Sequence, residues 1–500
     1  MRVGILDLLS PGRSATRKHA FADYMTTRQY ASVMPQAIAV WCRQLGHQVF
    51  YDTFYGQSDP KRLLPDDLDV VFISGPTMSG PLAYALSKLY KGENTLTVTG
   101  GPHAKAFPQD CLRYFDLVVT QCDKQLITEI LNGDHRPGGI VSSERLLSEL
   151  PSVEERMPEV KIAGFFKRTR PFFGTMIPLL ASLGCPYSCN FCTDWSNPYV
   201  VLQPDQLEAD LNYLSRTLPG VKITFHDPNF AVKFDDTLDV LDRIPEGQRN
   251  PYVMESSLSV IKESRLQRLR DTNCFYIAPG IESWSDYSNK AGVGSKGGME
   301  KVRLVADHIE MLHSYVPGIQ VNFMFGLDSD VGDEPVELTK EFMTRTPSAW
   351  PVVNIPMPFG GTPLFDQYLK EERLLESMPF SFYYSPYLVT TLKNYDPITY
   401  YRKLIDILDH RSTGAMLLKR LRVRSSASLR LLVTVRNLRA KESIKRFRQI
   451  LNQLTIDHHF REFHESTSKV LPEFYHQQYE QLLGPYASLM PREERTPILA

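Results

Sequence analysis

Twice along this 500-residue chain, short apolar runs recur between helical stretches, and the runs are continuous rather than alternating. A strand that is apolar on every residue is covered on both faces. That is the condition of a parallel sheet with helices on each side. The first series has strand-like runs at 3–9, 48–54, 69–74, 95–99 and 117–120. The second has six, at 177–183, 221–227, 252–257, 274–282, 319–326 and 350–358. The spacing predicts an α/β chain: a doubly wound parallel sheet over 1–135, a linker over 136–176, a partial (βα)6 barrel over 177–369, and a mostly helical region over 370–500. The linker reading rests on Pro137-Gly138-Gly139, Pro151 and Pro158. Both sheet types gather their ligands at the carboxyl ends of the strands.

The end of the first barrel strand carries the strongest chemical signal, Gly184-Cys185-Pro186-Tyr187-Ser188-Cys189-Asn190-Phe191-Cys192. Three thiols spaced C-x3-C-x2-C on one loop can take three corners of an iron–sulfur cubane and leave the fourth iron open. A structural zinc site stands as the competing reading, although it ordinarily wants a fourth ligand, and only His226 offers one nearby. A disulfide fits an odd trio poorly. Cys42, Cys111, Cys122 and Cys274 form no pair with ligand spacing and read as small buried hydrophobes.

The cysteine spacing, the preceding glycine and Phe191 resemble the cluster loop of the radical S-adenosylmethionine (SAM) superfamily. The first series resembles the cobalamin-binding domain upstream of many such enzymes, through Leu45-Gly46-His47, Phe72-Ile73-Ser74 with Thr77, and Thr99-Gly100-Gly101-Pro102-His103-Ala104. The D-x-H-x-x-G motif that supplies a lower axial histidine is absent, and Thr120-Gln121-Cys122-Asp123-Lys124 replaces the usual acidic, glycine-containing turn. The resemblance implies Cys185, Cys189 and Cys192 on a [4Fe-4S] cluster. It implies Phe191, Asp227, Asn229, Ser257 and Glu282 against SAM, and Thr77, Gly100, Gly101 and His103 around a cobalamin held without a protein histidine. The activity implied is reductive cleavage of SAM to a 5′-deoxyadenosyl radical, used for cobalamin-dependent methylation of an unactivated carbon. A cobalamin-free radical SAM enzyme, one performing cyclisation or oxidation, and a non-catalytic metal- or corrinoid-binding module are the alternatives. The expected partners are a small-molecule or lipid-like substrate and a reductant such as flavodoxin or ferredoxin.

Composition narrows the setting. No run of about 18 apolar residues exists to span a bilayer, and the amino terminus enters a strand pattern at once, so a cytoplasmic protein without a signal peptide is expected. The formal net charge of −1 is uninformative as a total. Its distribution is not: residues 411–450 hold twelve Lys or Arg and one acid, Glu442. Interspersed leucines make this either a solvated face or a basic amphipathic segment for peripheral contact with an anionic membrane. Nothing resembles a nucleic-acid module.

Overall fold

The computed structural model describes residues 1–13, 31–56, 58–164, 171, 174–287 and 289–499. Six parallel strands form the first sheet: β1 (Arg2–Leu8), β2 (Gln48–Phe54), β3 (Val70–Ser74), β4 (Leu96–Gly100), β5 (Leu117–Gln121) and β6 (Gly139–Ser142), in the order β2-β1-β3-β4-β5-β6. Along β1, Val3 and Ile5 enter one apolar cluster while Leu6 and Leu8 enter another. The same split separates Val70 and Phe72 from Val71 and Ile73 on β3. Successive side chains point to opposite faces, and both faces are covered, which is why the runs are apolar throughout. The strand order reverses between β1 and β3, where such sheets open a crevice beyond their carboxyl ends.

The segment expected as linker is more structured than its prolines suggest. It supplies β6, paired with β5 from Leu117↔Gly139 onward, and a helix at Met157–Gly164. Strand β6 is an edge strand whose residues alternate half-buried and exposed, so a search for continuous apolarity passes over it. Residues 165–170 and 172–173 of the same segment lie outside the described set.

The second sheet is built from β7 (Met176–Leu179), β10 (Lys222–Phe225), β11 (Tyr252–Met254), β12 (Cys274–Ile277), β14 (Gly318–Met324) and β15 (Ala349–Asn354). These six run parallel and neighbour one another in chain order, with the short β13 (Gly280–Glu282) also pairing with β14. Among the described residues β7 pairs only with β10 and β15 only with β14, so the barrel is open. A small antiparallel pair, β8 (Ser182–Leu183) with β9 (Val200–Val201), pinches the base of the cysteine loop.

Beyond the barrel lie helices at Pro397–Ser412, Gly414–Arg422, Ala427–Ile456, His458–His464 and Glu473–Leu483. The chain's end then straps back onto the first sheet. Lys88 Nζ meets Glu494 at 2.5 Å, the Arg113 guanidinium donates to the Thr496 carbonyl at 3.0 Å, and the Ile498 N–H donates to Asp110 at 2.7 Å. Among the described residues no helix is long and apolar enough to cross a membrane.

Candidate active site

The cysteine loop leaves the barrel at the carboxyl end of its first strand, and one glycine sets its path. Gly184 has φ +65, and a Cβ there would stand 2.2 Å from the Pro198 carbonyl oxygen and 2.6 Å from that of Asn197. Both the conformation and the space exclude a side chain. The Cys185 N–H donates to Asn197 O at 3.3 Å, and the Cys192 N–H to Cys189 O at 3.0 Å, which folds the second half of the loop into a turn. Cys185 is buried, whereas Cys189 and Cys192 are half-buried. Among the described residues no three His, Cys, Asp or Glu side chains close into a preformed metal-ligating group.

Each neighbouring strand end braces this loop. Asp227, after β10, accepts from the Ser182 hydroxyl at 2.6 Å and the Ala181 N–H at 3.1 Å. Burial pushes its carboxyl up to about 6, with those hydrogen bonds opposing. Its side chain is thus engaged within the fold. Asn229 accepts from the Ser257 N–H at 3.1 Å and turns its amide toward Cys185 Sγ at 3.8 Å. Ser257 itself accepts from Ser259 at 3.0 Å, and Ser259 meets the Tyr187 hydroxyl at 2.6 Å.

Glu282, at the end of β13, is a non-glycine residue held at φ +66 and almost fully buried. Such backbone strain persists only where the surroundings over-determine it, and it concentrates at functional sites. Gly280 makes the room, since a Cβ there would lie 2.2 Å from the Glu282 carboxylate. Burial raises the Glu282 carboxyl, and Lys290, 3.4 Å away, opposes the rise. Burial also works against the Lys290 cation, yet Glu282 and the three loop cysteines together more than offset it and hold its pKa up. The same cation stands 5.6 Å from the centre of the Phe191 ring, which stacks on Tyr287 at 5.9 Å. The Tyr287 hydroxyl returns to the loop through Asn190 Oδ1 at 2.5 Å. Lys290 and Tyr287 were not legible as site residues; they sit in an irregular segment with no motif, and only the fold brings them to Glu282 and Phe191.

In the first sheet, Gly100 and Gly101 end β4, and Gly101 at φ +90, ψ −168 occupies a region reserved for glycine. Beside it, a Cβ on Gly75 would lie 2.7 Å from the Leu8 carbonyl oxygen, so the turn after β3 packs directly on β1. Thr77 is buried at the start of the 3-10 turn Thr77–Ser79. His103, expected with these residues around a corrin, follows in the helix Pro102–Ala106 and packs against Gly80, just after the Thr77–Ser79 turn. Its imidazole is buried against Phe107 and Phe380, its Nε2 meets the Tyr84 hydroxyl at 2.6 Å, and its Nδ1 has no partner. Burial pushes it down to about 3, so the ring is neutral. The apolar surroundings drew the ring inward, against the helix face left open by Gly80.

The two sheets present their carboxyl ends to one another. Lys105, in the helix that follows Gly101, donates to Asn197 Oδ1 at 2.8 Å and approaches the Thr193 carbonyl at 3.5 Å, on the segment returning from the cysteine loop. A Cβ on Gly360, beyond β15, would lie 2.0 Å from the Ala106 carbonyl oxygen. The β4 turn therefore abuts both the cysteine loop and the far edge of the barrel mouth.

Residues 179–342 match the family described as the radical SAM superfamily, so the barrel region carries a radical SAM domain. Ahead of that domain stands the six-stranded parallel sheet. The chain is 24% identical over 358 residues to the bacteriochlorophyllide d C-8(2)-methyltransferase of Chlorobaculum tepidum, covering 68% of this chain and 76% of that one. Its fold is shared with the cobalamin-dependent SAM radical enzyme OxsB, with a TM-score of 0.58 at 13% identity over 98% of this chain and 79% of that one. It is shared also with the radical SAM methyltransferase TsrM from Kitasatospora setae, with a TM-score of 0.56 at 12% identity over 89% of this chain and 99% of that one. A radical SAM domain implies a [4Fe-4S] cluster and SAM. The donor set fits, with three thiols on one loop at the barrel mouth and a lysine cation placed to offset their charge.

Proposed function

We propose that the chain is a cobalamin-dependent radical SAM methyltransferase that methylates an unactivated carbon of a small-molecule or lipid-like substrate. The observation that carries the reading is the Lys105–Asn197 contact, because it sets the ligand crevice of one sheet against the cysteine loop of the other. The methyltransferase activity of the Chlorobaculum relative and the cobalamin bound in OxsB support it.

Cys185, Cys189 and Cys192 would hold the cluster, and Gly100, Gly101 and Thr77 would face the corrin. When bound, these groups supply one-electron reduction of SAM and a methyl group for transfer. The protein's own part is placement. Glu282 and Lys290 present a carboxylate and an ammonium to the polar end of SAM, and Phe191 stacked on Tyr287 offers a flat apolar surface to its adenine. Asp227, Asn229 and Ser257 keep the loop in register beneath them. His103, held by Tyr84 and packed on Phe107 and Phe380, would support the Gly100-Gly101 turn from within. A flavodoxin- or ferredoxin-type reductant and a cytoplasmic setting belong to the same proposal.

The test is anaerobic reconstitution with iron and sulfide of protein purified from a cobalamin-supplemented host. About four irons per chain, a corrinoid spectrum, and 5′-deoxyadenosine on reduction with SAM are expected. Stoichiometric zinc with intact SAM would overturn the radical reading. A loaded cluster without bound corrinoid would favour the cobalamin-free alternative.

A further inference from the structure

The basic segment 411–450 does not all face solvent. Three of its arginines, one from each of three successive helices, close around Trp350 near the start of β15. The guanidinium carbons of Arg420, Arg411 and Arg436 lie 4.9, 5.6 and 6.0 Å from the indole centre. Arg411 and Arg420 are 8% and 4% exposed. Their hydrogen bonds go to carbonyls and a phenol: Arg411 to Pro351 O at 3.3 Å, Arg420 to Arg411 O at 2.7 Å, and Arg436 to the Tyr276 hydroxyl. Arg411 Nε, Arg420 Nε and one terminal nitrogen of Arg420 are buried with no partner.

Among the described residues, none of the three has a carboxylate within ion-pair distance. Neighbouring cations in the same segment do: Arg448 pairs with Asp409 at 2.7 Å and Lys445 with Glu442 at 2.7 Å. Buried charges are ordinarily paired, and orphaned donors are costly. The indole face returns only part of that cost. Burial pushes both Arg411 and Arg420 down to about 10, with Arg420 adding to the strain on Arg411.

We propose that Arg411, Arg420 and Arg436 form an oxyanion site for a phosphate group at the amino-terminal end of the barrel, opposite the cysteine loop. Guanidinium forks match phosphate oxygens in geometry and charge. The phosphate could come from a free anion or from a lipid headgroup. Leu431, Leu438 and Val435 are exposed on the helix that carries Arg436, at 61%, 62% and 44%, which makes the second source concrete.

The test is thermal unfolding of the full chain, with inorganic phosphate against chloride at fixed ionic strength, and with phosphatidic-acid against phosphatidylcholine vesicles. A rise in Tm with phosphate or phosphatidic acid is expected, lost in Arg420→Met and reduced in Arg436→Gln. Without either ligand, Arg420→Met should unfold no earlier than the native chain, since it removes an uncompensated charge. Leu431→Glu with Leu438→Glu should abolish a vesicle response while sparing a free-phosphate one, which tells the sources apart. Phosphate and vesicle responses that are both absent, or that persist unchanged in the arginine variants, would overturn the site.

Discussion

Gly184→Ala offers a sharp test of how the cysteine loop is held. Two costs add. A residue with a side chain at φ +65 pays about 1–2 kcal/mol for the left-handed conformation. The new Cβ would also lie 2.2 Å from Pro198 O, where real contacts stay beyond 3.0 Å, and the obstacle is backbone. The 197–198 segment must retreat by most of an ångström, which gives up the Cys185 N–H to Asn197 O bond, worth about 1 kcal/mol. The sum is about 2–3 kcal/mol, so the population of loops ready to take a cluster falls about 30- to 150-fold. Gly220→Ala is the matched control, because Gly220 has φ +75 but open space around its missing Cβ. Iron and sulfide per chain after anaerobic reconstitution, with 5′-deoxyadenosine formation, read the outcome. Gly184→Ala should load little cluster, while Gly220→Ala should load normally with only slightly lowered stability. Full loading in Gly184→Ala, or equal loss in both variants, would refute the reasoning.

Other consequences can be measured directly. Lys290→Met removes one partner of a mostly buried pair and leaves Glu282 uncompensated, a change that costs about 3–5 kcal/mol in comparable settings; calorimetry on the reconstituted protein should find SAM binding weakened by at least about 100-fold. Asp7 is fully buried at the end of β1, and burial raises its carboxyl from 3.8 to about 6. The folded state therefore holds that proton more tightly than the unfolded chain, and the group's contribution is full below pH 4 and lost as pH rises through 6. Asp7→Asn keeps an acceptor for Ser32 and should raise stability at pH 7 by up to about 3 kcal/mol, with no gain at pH 4, in urea unfolding. His103→Gln should lower stability while leaving a corrinoid spectrum unchanged; an altered spectrum would show that the ring reaches the corrin. Lys105→Ala should preserve iron and SAM cleavage yet slow methyl transfer, because only the contact between the two sheets is cut.

What could be read from the residues followed from how many faces of each element are covered. The β1 and β3 runs were legible because alternate residues feed different clusters and all of them must be apolar. Strand β6 was not, because an edge strand needs only partial cover. The spacing of Cys185, Cys189 and Cys192 could be read because it lies within one short loop, whereas the crowding at Gly184 comes from Asn197 and Pro198, beyond that loop. Lys290 was not: its meaning depends on a positive φ at Glu282, which no spacing announces. His103 lies beside Gly101 in sequence, but its ring is claimed by Tyr84, Phe107 and Phe380, two of which come from other parts of the chain.

The same principle divides the basic segment. As a string it is a single block of charge, and a solvated face accounts for Arg448, which reaches Asp409 from an exposed position. It does not account for Arg411 and Arg420, which are buried on an indole and, among the described residues, have no counter-charge at ion-pair distance. Charge density in a sequence is a statement about the unfolded chain. Only packing decides which cations keep their water and which must find an anion, so the barrel's two ends differ in kind. The carboxyl end sets a lysine against thiols and a carboxylate, whereas the amino end gathers Arg411, Arg420 and Arg436 with no acid at ion-pair distance among the described residues. A protein that answers its buried charge at one end of a barrel and leaves it unanswered at the other has a reason to bind something there.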